Sequence, residues 1–233
     1  MSEAQRLVTY GVALVMPLLL AGLFWRRLYR IAYFFTAYLI AIWSAEVLIL
    51  LWPARFYTWG FFLAKETVFG LLSFGTAMEM VAYTFQAFPG ARATARGTLL
   101  VGLAFILVAL LSAPIESSGG FAGLAQDLHP RLANGTALLF AGLWALVLWY
   151  NLPIHPFHRA ILRGLVPYLV VFTVLVRLLA TLGWQVREEA GLADGLSWLV
   201  VVLYWTVEAW RRPRDLGVGP DVMSALQPWR DRL

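Results

Sequence analysis

The chain has 233 residues, of which 61% are hydrophobic and 13% charged, with a formal charge of +5 and no cysteine. A soluble domain is roughly half apolar and about a quarter charged, so this balance in water would leave large aggregating apolar patches. The missing cysteines exclude disulfides, thiolate metal sites and cysteine nucleophiles, and the arginines flank apolar runs, which points to membrane orientation rather than to nucleic acid.

The reading is an all-α, polytopic membrane bundle of seven transmembrane helices over residues 1–214, with a short cytoplasmic tail at 215–233. The N-terminus is not a cleaved signal. Arg6 precedes the first apolar run, but Arg26, Arg27 and Arg30 follow it, and a signal carries its positive charge first. In chain order the expected spans are residues 7–25, 31–52 (stopped by Pro53), 59–88 (stopped by Pro89-Gly90), 97–112, 132–151, 164–184 and 196–210. A span needs about 20 residues to cross about 30 Å of hydrocarbon, whereas a membrane strand needs about 10 with alternating polarity. No internal repeat is evident.

Orientation follows from arginine counting. The connections after spans 1, 3, 5 and 7 carry ten arginines: Arg26, Arg27, Arg30, Arg92, Arg96, Arg159, Arg163, Arg211, Arg212 and Arg214. The other side carries four, Arg6, Arg55, Arg131 and Arg187, together with Glu116, Asp127, Glu188, Glu189 and Asp194. The positive-inside rule puts the N-terminus outside and the C-terminus in the cytoplasm. Trp25, Trp52, Tyr57, Trp59, Trp149, Tyr150, Trp184 and Trp210 lie at span ends, where amphipathic rings favour the headgroup level. Tyr204 and Trp205 lie deeper and are candidates to line a cavity.

Six ionisable residues fall inside the spans: Glu46, Lys65, Glu66, Glu79, Arg177 and Glu208. A charge at the bilayer centre costs at least about 2.5–3.5 kcal/mol, so such residues face the bundle interior and pair. Counting ~1.5 Å per residue from the outer ends puts Glu46, Lys65, Glu66 and Arg177 in one layer ~9–11 Å deep. Glu46–Lys65 is the expected pair, because the two helices are joined by a short connection. Glu66 points ~100° away from Lys65 and Arg177 is its expected partner. Thr173, Arg177 and Thr181 form a polar stripe, as do Glu66, Gly70, Ser73 and Ala77, and Ser197, Val201, Tyr204 and Glu208. These residues constitute either a structural ion-pair network or a polar cavity for a ligand, ion or proton. Glu79 and Glu208 lie nearer the cytoplasm and are expected to meet Arg92, Arg96 or Arg211.

Other motifs carry less. His155 and His158 flank Pro156 in a cytoplasmic loop and read as surface histidines, not a metal pair. No histidine lies mid-membrane to hold a haem, and no HExxH or GxSxG pattern occurs. The single lysine, Lys65, is not on the last helix, where a retinal Schiff base would need it. The sequence names no cofactor. Asn134-Gly135-Thr136 matches a glycosylation acceptor at a membrane boundary and reads as chance. Leu226, Pro228 and Trp229 could dock the tail on a partner, although a disordered tail is the simpler expectation.

Phe56-Tyr57-Thr58-Trp59-Gly60, then Glu66, Glu79 and the helix end Phe88-Pro89-Gly90-Ala91-Arg92 resemble a group of uncharacterised bacterial seven-helix membrane proteins. The resemblance implies architecture only, loosely over spans 2 to 6. The functional expectation is a bacterial inner-membrane, non-enzymatic protein. It would be a sensor or an accessory subunit of a larger membrane complex, with another membrane protein or a second copy as partner. The rival is a small transporter or ion-translocating protein using Glu46, Lys65, Glu66 and Arg177. An intramembrane enzyme has least support.

Overall fold

The structure, a computed structural model, describes residues 3–56, 58–86, 135–145, 147–149 and 154–211. All regular structure among them is helical: α1 (Glu3–Trp25), α2 (Tyr33–Leu51), the single turn α3 (Pro53–Phe56), α4 (Trp59–Gln86), α5 (Gly135–Trp149), α6 (Pro156–Leu182) and α7 (Arg187–Trp210). Five of these, α1, α2, α4, α6 and α7, are long and apolar enough to cross a membrane, while α5 is apolar but shorter. The expected span 97–112, the tail 215–233, and Arg92 and Arg96 lie outside the described residues. The outward faces are strongly apolar. Leu14 is 73% exposed and Trp25 82%, with Leu7, Leu138, Val200 and Val207 also open. Water would penalise this belt by about 25 cal/mol per Å², and lipid removes the penalty.

Two helices start well before the apolar runs that mark them. α6 begins at Pro156 rather than 164, and α7 at Arg187 rather than 196. Proline suits the first helical position because its missing N–H has no intrahelical partner there. Arg159 and Arg163 make the opening turns of α6 amphipathic, yet Phe157, Ala160, Ile161 and Leu165 on them are buried. In α7 the early acids Glu188 and Glu189 complement the positive end of the helix dipole.

α1 and α7 run parallel, in the most extensive contact of the bundle. Gln5 donates to the Glu188 carbonyl at 3.0 Å, Trp210 Nε1 donates to the Leu18 carbonyl at 3.0 Å, and Arg26 donates to the Ala209 carbonyl at 3.3 Å. Close approach depends on Gly22, where a Cβ would stand 2.8 Å from Trp210 Nε1. α2 packs on α1 and α4, and α6 on α7. Buried residues recur at steps of three and four along each inward face: Val12, Met16, Leu19 and Leu23; Phe35, Leu39 and Ile42; Trp198, Val202, Trp205 and Ala209. Phe140, Leu143 and Val147 of α5 join the same core.

The last turns of α4 meet the first turn of α6, with the Tyr83 and His158 rings 5.0 Å apart. The chain therefore leaves α4 and re-enters α6 at the same end of the bundle, the end that carries Arg26, Arg27, Arg30, Arg159, Arg163 and Arg211.

Candidate functional site

A polar layer forms toward the far end of the bundle, opposite those arginines. Glu66 lies 66 − 59 = 7 residues into α4 and Asp194 lies 194 − 187 = 7 residues into α7, so both are ~10 Å from the helix starts. Lys65 holds Glu66 in an ion pair of 2.9 Å. Its ammonium also stands over the Phe62 and Phe69 rings at 5.1 and 5.5 Å, a cation–π setting that strengthens as water is excluded. The Tyr168 hydroxyl of α6 lies close enough to the Asp194 carboxylate for the two to interact electrostatically. Tyr38 of α2 packs edge-on against Phe69 at 6.2 Å and Trp198 at 6.5 Å, and Trp198 lies 5.0 Å from Tyr168. The charges of Glu66 and Asp194 act on both tyrosine hydroxyls. Four helices thus contribute to one acid–tyrosine layer walled by aromatic rings.

The layer differs in membership from the one expected. Lys65 pairs with its chain neighbour Glu66, not with Glu46. The long lysine side chain bends back along its own helix over two aromatic shelves, and this overrides the ~100° between adjacent positions. Lys65 still acts electrostatically on Glu46, but Glu46 Oε2 is buried with no hydrogen-bond partner. Asp194 Oδ1 and Trp43 Nε1 are in the same condition.

Arg177 is not brought to Glu66. It is exposed, because the buried stripe of α6 runs through Phe157, Ile161 and Leu165 and reaches Tyr168 and Phe172, nearly opposite Arg177. The hydroxyls of Thr173 and Thr181 bond their own helix, to the Leu169 and Arg177 carbonyls at 2.7 and 3.0 Å. Asp194 takes the fourth place. The apolar run that marks this helix starts only at 196, but the spacing of Asp194, Trp198, Val201 and Trp205 (steps of four, three and four) is a signal that places Asp194 on the inward face.

A second junction forms at the arginine-rich end. Among the described residues, which do not include Arg92 and Arg96, no arginine pairs with Glu79. Its carboxylate accepts the Tyr33 N–H at 2.7 Å and the Phe34 N–H at 3.0 Å, closing the first turn of α2 from a neighbouring helix. His158 is not a surface histidine. It is only 4% exposed, and its Nε2–H donates to the Ile31 carbonyl at 2.7 Å. Trp205 is core rather than cavity lining, and Tyr204 is half-buried against that core. Glu208 meets Arg211 at 3.1 Å.

His155, just before α6, accepts the Phe157 N–H on Nδ1 at 3.2 Å. Partial burial, and secondarily the nearby Arg26 charge, hold its imidazole below the ordinary value. The folded protein therefore binds this proton less tightly than the unfolded chain. The contribution to stability is present above about pH 6.5 and is lost as the pH falls. Proton NMR of the His155 ring is expected to give a midpoint below about 6.5; a midpoint above it would contradict the geometry.

Chemically, the described part of the layer holds Glu66 on Lys65 and places Asp194 beside Tyr168, with Glu46 within the electrostatic reach of Lys65. A buried carboxylate of this kind can hold a proton in a medium where uncompensated charge is costly. No protein family, curated protein or solved structure matches the chain.

Proposed function

We propose that the chain is a seven-span protein of a bacterial inner membrane, N-terminus outside and C-terminus in the cytoplasm. It acts without catalysis, as a sensor or as an accessory subunit of a larger membrane complex. The arginine asymmetry supports the orientation. The contact between the end of α4 and the start of α6, together with the apolar helix α5, is compatible with seven spans. The resemblance noted above supports the bacterial setting.

The observation that carries the sensor reading is the polar layer shared by α2, α4, α6 and α7. Asp194 and Glu46 each have a buried oxygen without a partner. Uptake of a proton or small cation there changes the charge at a point where four helices meet, and so biases their packing. In nanodiscs, tryptophan emission is expected to shift with pH, because the Trp198 ring lies 5.0 Å from Tyr168, which interacts electrostatically with Asp194. Asp194→Asn should abolish the shift. An emission spectrum flat with pH in the parent protein would end this reading.

The buried, unpartnered carboxylate oxygens of Glu46 and Asp194 favour one alternative, ion or proton translocation through the same layer. Flux by the isolated chain in liposomes, abolished by Glu66→Gln with the fold intact, would replace the first reading with the second. The accessory-subunit form predicts co-purification with another membrane protein.

A further inference from the structure

We infer that the arginine-rich end holds the phosphate headgroup of an anionic phospholipid, between the α1–α2 turn, the start of α6 and the end of α7. These three segments converge there independently of the far-end layer. Arg26 is fixed by its bond to the Ala209 carbonyl of α7 and acts electrostatically on His155, while His158 of α6 is fixed on the Ile31 carbonyl. Arg27 sits at the turn in a left-handed conformation, φ 57°, and is exposed, as are Arg30, Arg163 and Arg211. Among the described residues, the acids at this end are already engaged. Glu79 is bound by the α2 amides and Glu208 by Arg211. With Arg211 answered by Glu208, Arg27, Arg30 and Arg163 have no acid partner among the described residues, and their guanidinium groups suit phosphate oxygens.

A second feature selects a lipid over a free anion. Trp25, Tyr33 and Trp210 are all exposed near this end, and such rings settle at the headgroup level. Any phosphate reaching the arginines at that depth is then presented by the bilayer, whose negative surface adds to the attraction of each arginine.

The test uses the full chain in mild detergent, with native mass spectra and thermal unfolding. Phosphatidylglycerol, phosphatidylcholine and inorganic phosphate are added separately. Phosphatidylglycerol should remain bound and raise the melting temperature, and phosphatidylcholine should not. The double variant Arg27→Gln/Arg30→Gln should bind phosphatidylglycerol about 25-fold more weakly, about fivefold per arginine. Arg55→Gln, at the opposite end, should bind like the parent. Equal retention by the double variant, or an equal loss in Arg55→Gln, would overturn the site. Inorganic phosphate protecting as well as the lipid would overturn its assignment to a headgroup.

Discussion

Trp205→Ala is expected to cost about 3–5 kcal/mol, the range for emptying a large aromatic site in a packed core. Trp205 is fully buried, and three helices depend on it. Its ring meets Phe35 of α2 edge-on at 4.8 Å and Trp198 of its own helix at 5.7 Å. Its Nε1–H donates to the Ala160 carbonyl of α6 at 3.1 Å, so the indole supplies a partner that water cannot supply in hydrocarbon. α6 accommodates the ring through Gly164, where a Cβ would stand 2.5 Å from Nε1. The substitution removes both edge-on contacts and the bond to the Ala160 carbonyl together with the buried apolar surface, which places the loss toward the upper end. Unfolding by SDS in mixed micelles would measure it. A loss under about 1 kcal/mol, the scale of a conservative core swap, would mean that α2, α6 and α7 do not converge on this ring.

Glu79→Ala is expected to cost about 2 kcal/mol, the upper end of the range for losing a helix N-cap. The residue preceding α2 is Ala32, which has no side-chain acceptor. The first amides of the helix would be orphaned near the membrane interface without the carboxylate of α4. The negative charge also complements the helix dipole. Glu79→Gln keeps an oxygen for one amide but loses the charge, so it should lose about half as much. Amide exchange reports the mechanism directly. Protection at Tyr33 and Phe34 should fall in Glu79→Ala, while protection deeper in α2 persists. Unchanged exchange at those two amides would refute the capping role, whatever happens to global stability.

These two residues also show where sequence reading ends. Trp205 was legible as apolar and deep, but not as the closure of three helices, because hydropathy records how deep a residue sits and not what lies across from it. Glu79 was legible as an ionisable group needing a partner. Charge pairing suggested an arginine, whereas the partner is backbone 46 and 45 positions away, to which no side-chain pattern points. The starts of α6 and α7 were hidden because their first turns carry charged residues on the outward side, and a run of apolar residues registers only after them. Arg177 was assigned inward on the strength of a polar stripe. The larger apolar and aromatic side chains of α6 have more to gain from burial, and they turned that stripe outward.

The sequence by itself determined the long apolar helices, the clustering of arginines at alternate ends and the presence of costly charges within the spans. Each of these depends on a segment's own composition, since a helix in lipid satisfies its backbone internally. Tertiary structure alone decided which face of each helix turns inward, that Lys65 closes on Glu66, that Asp194 joins the layer, and that Glu79 and His158 bind backbone. Those outcomes depend on the neighbour a side chain meets once the large residues have packed, and that neighbour is a property of the assembled bundle rather than of any one helix.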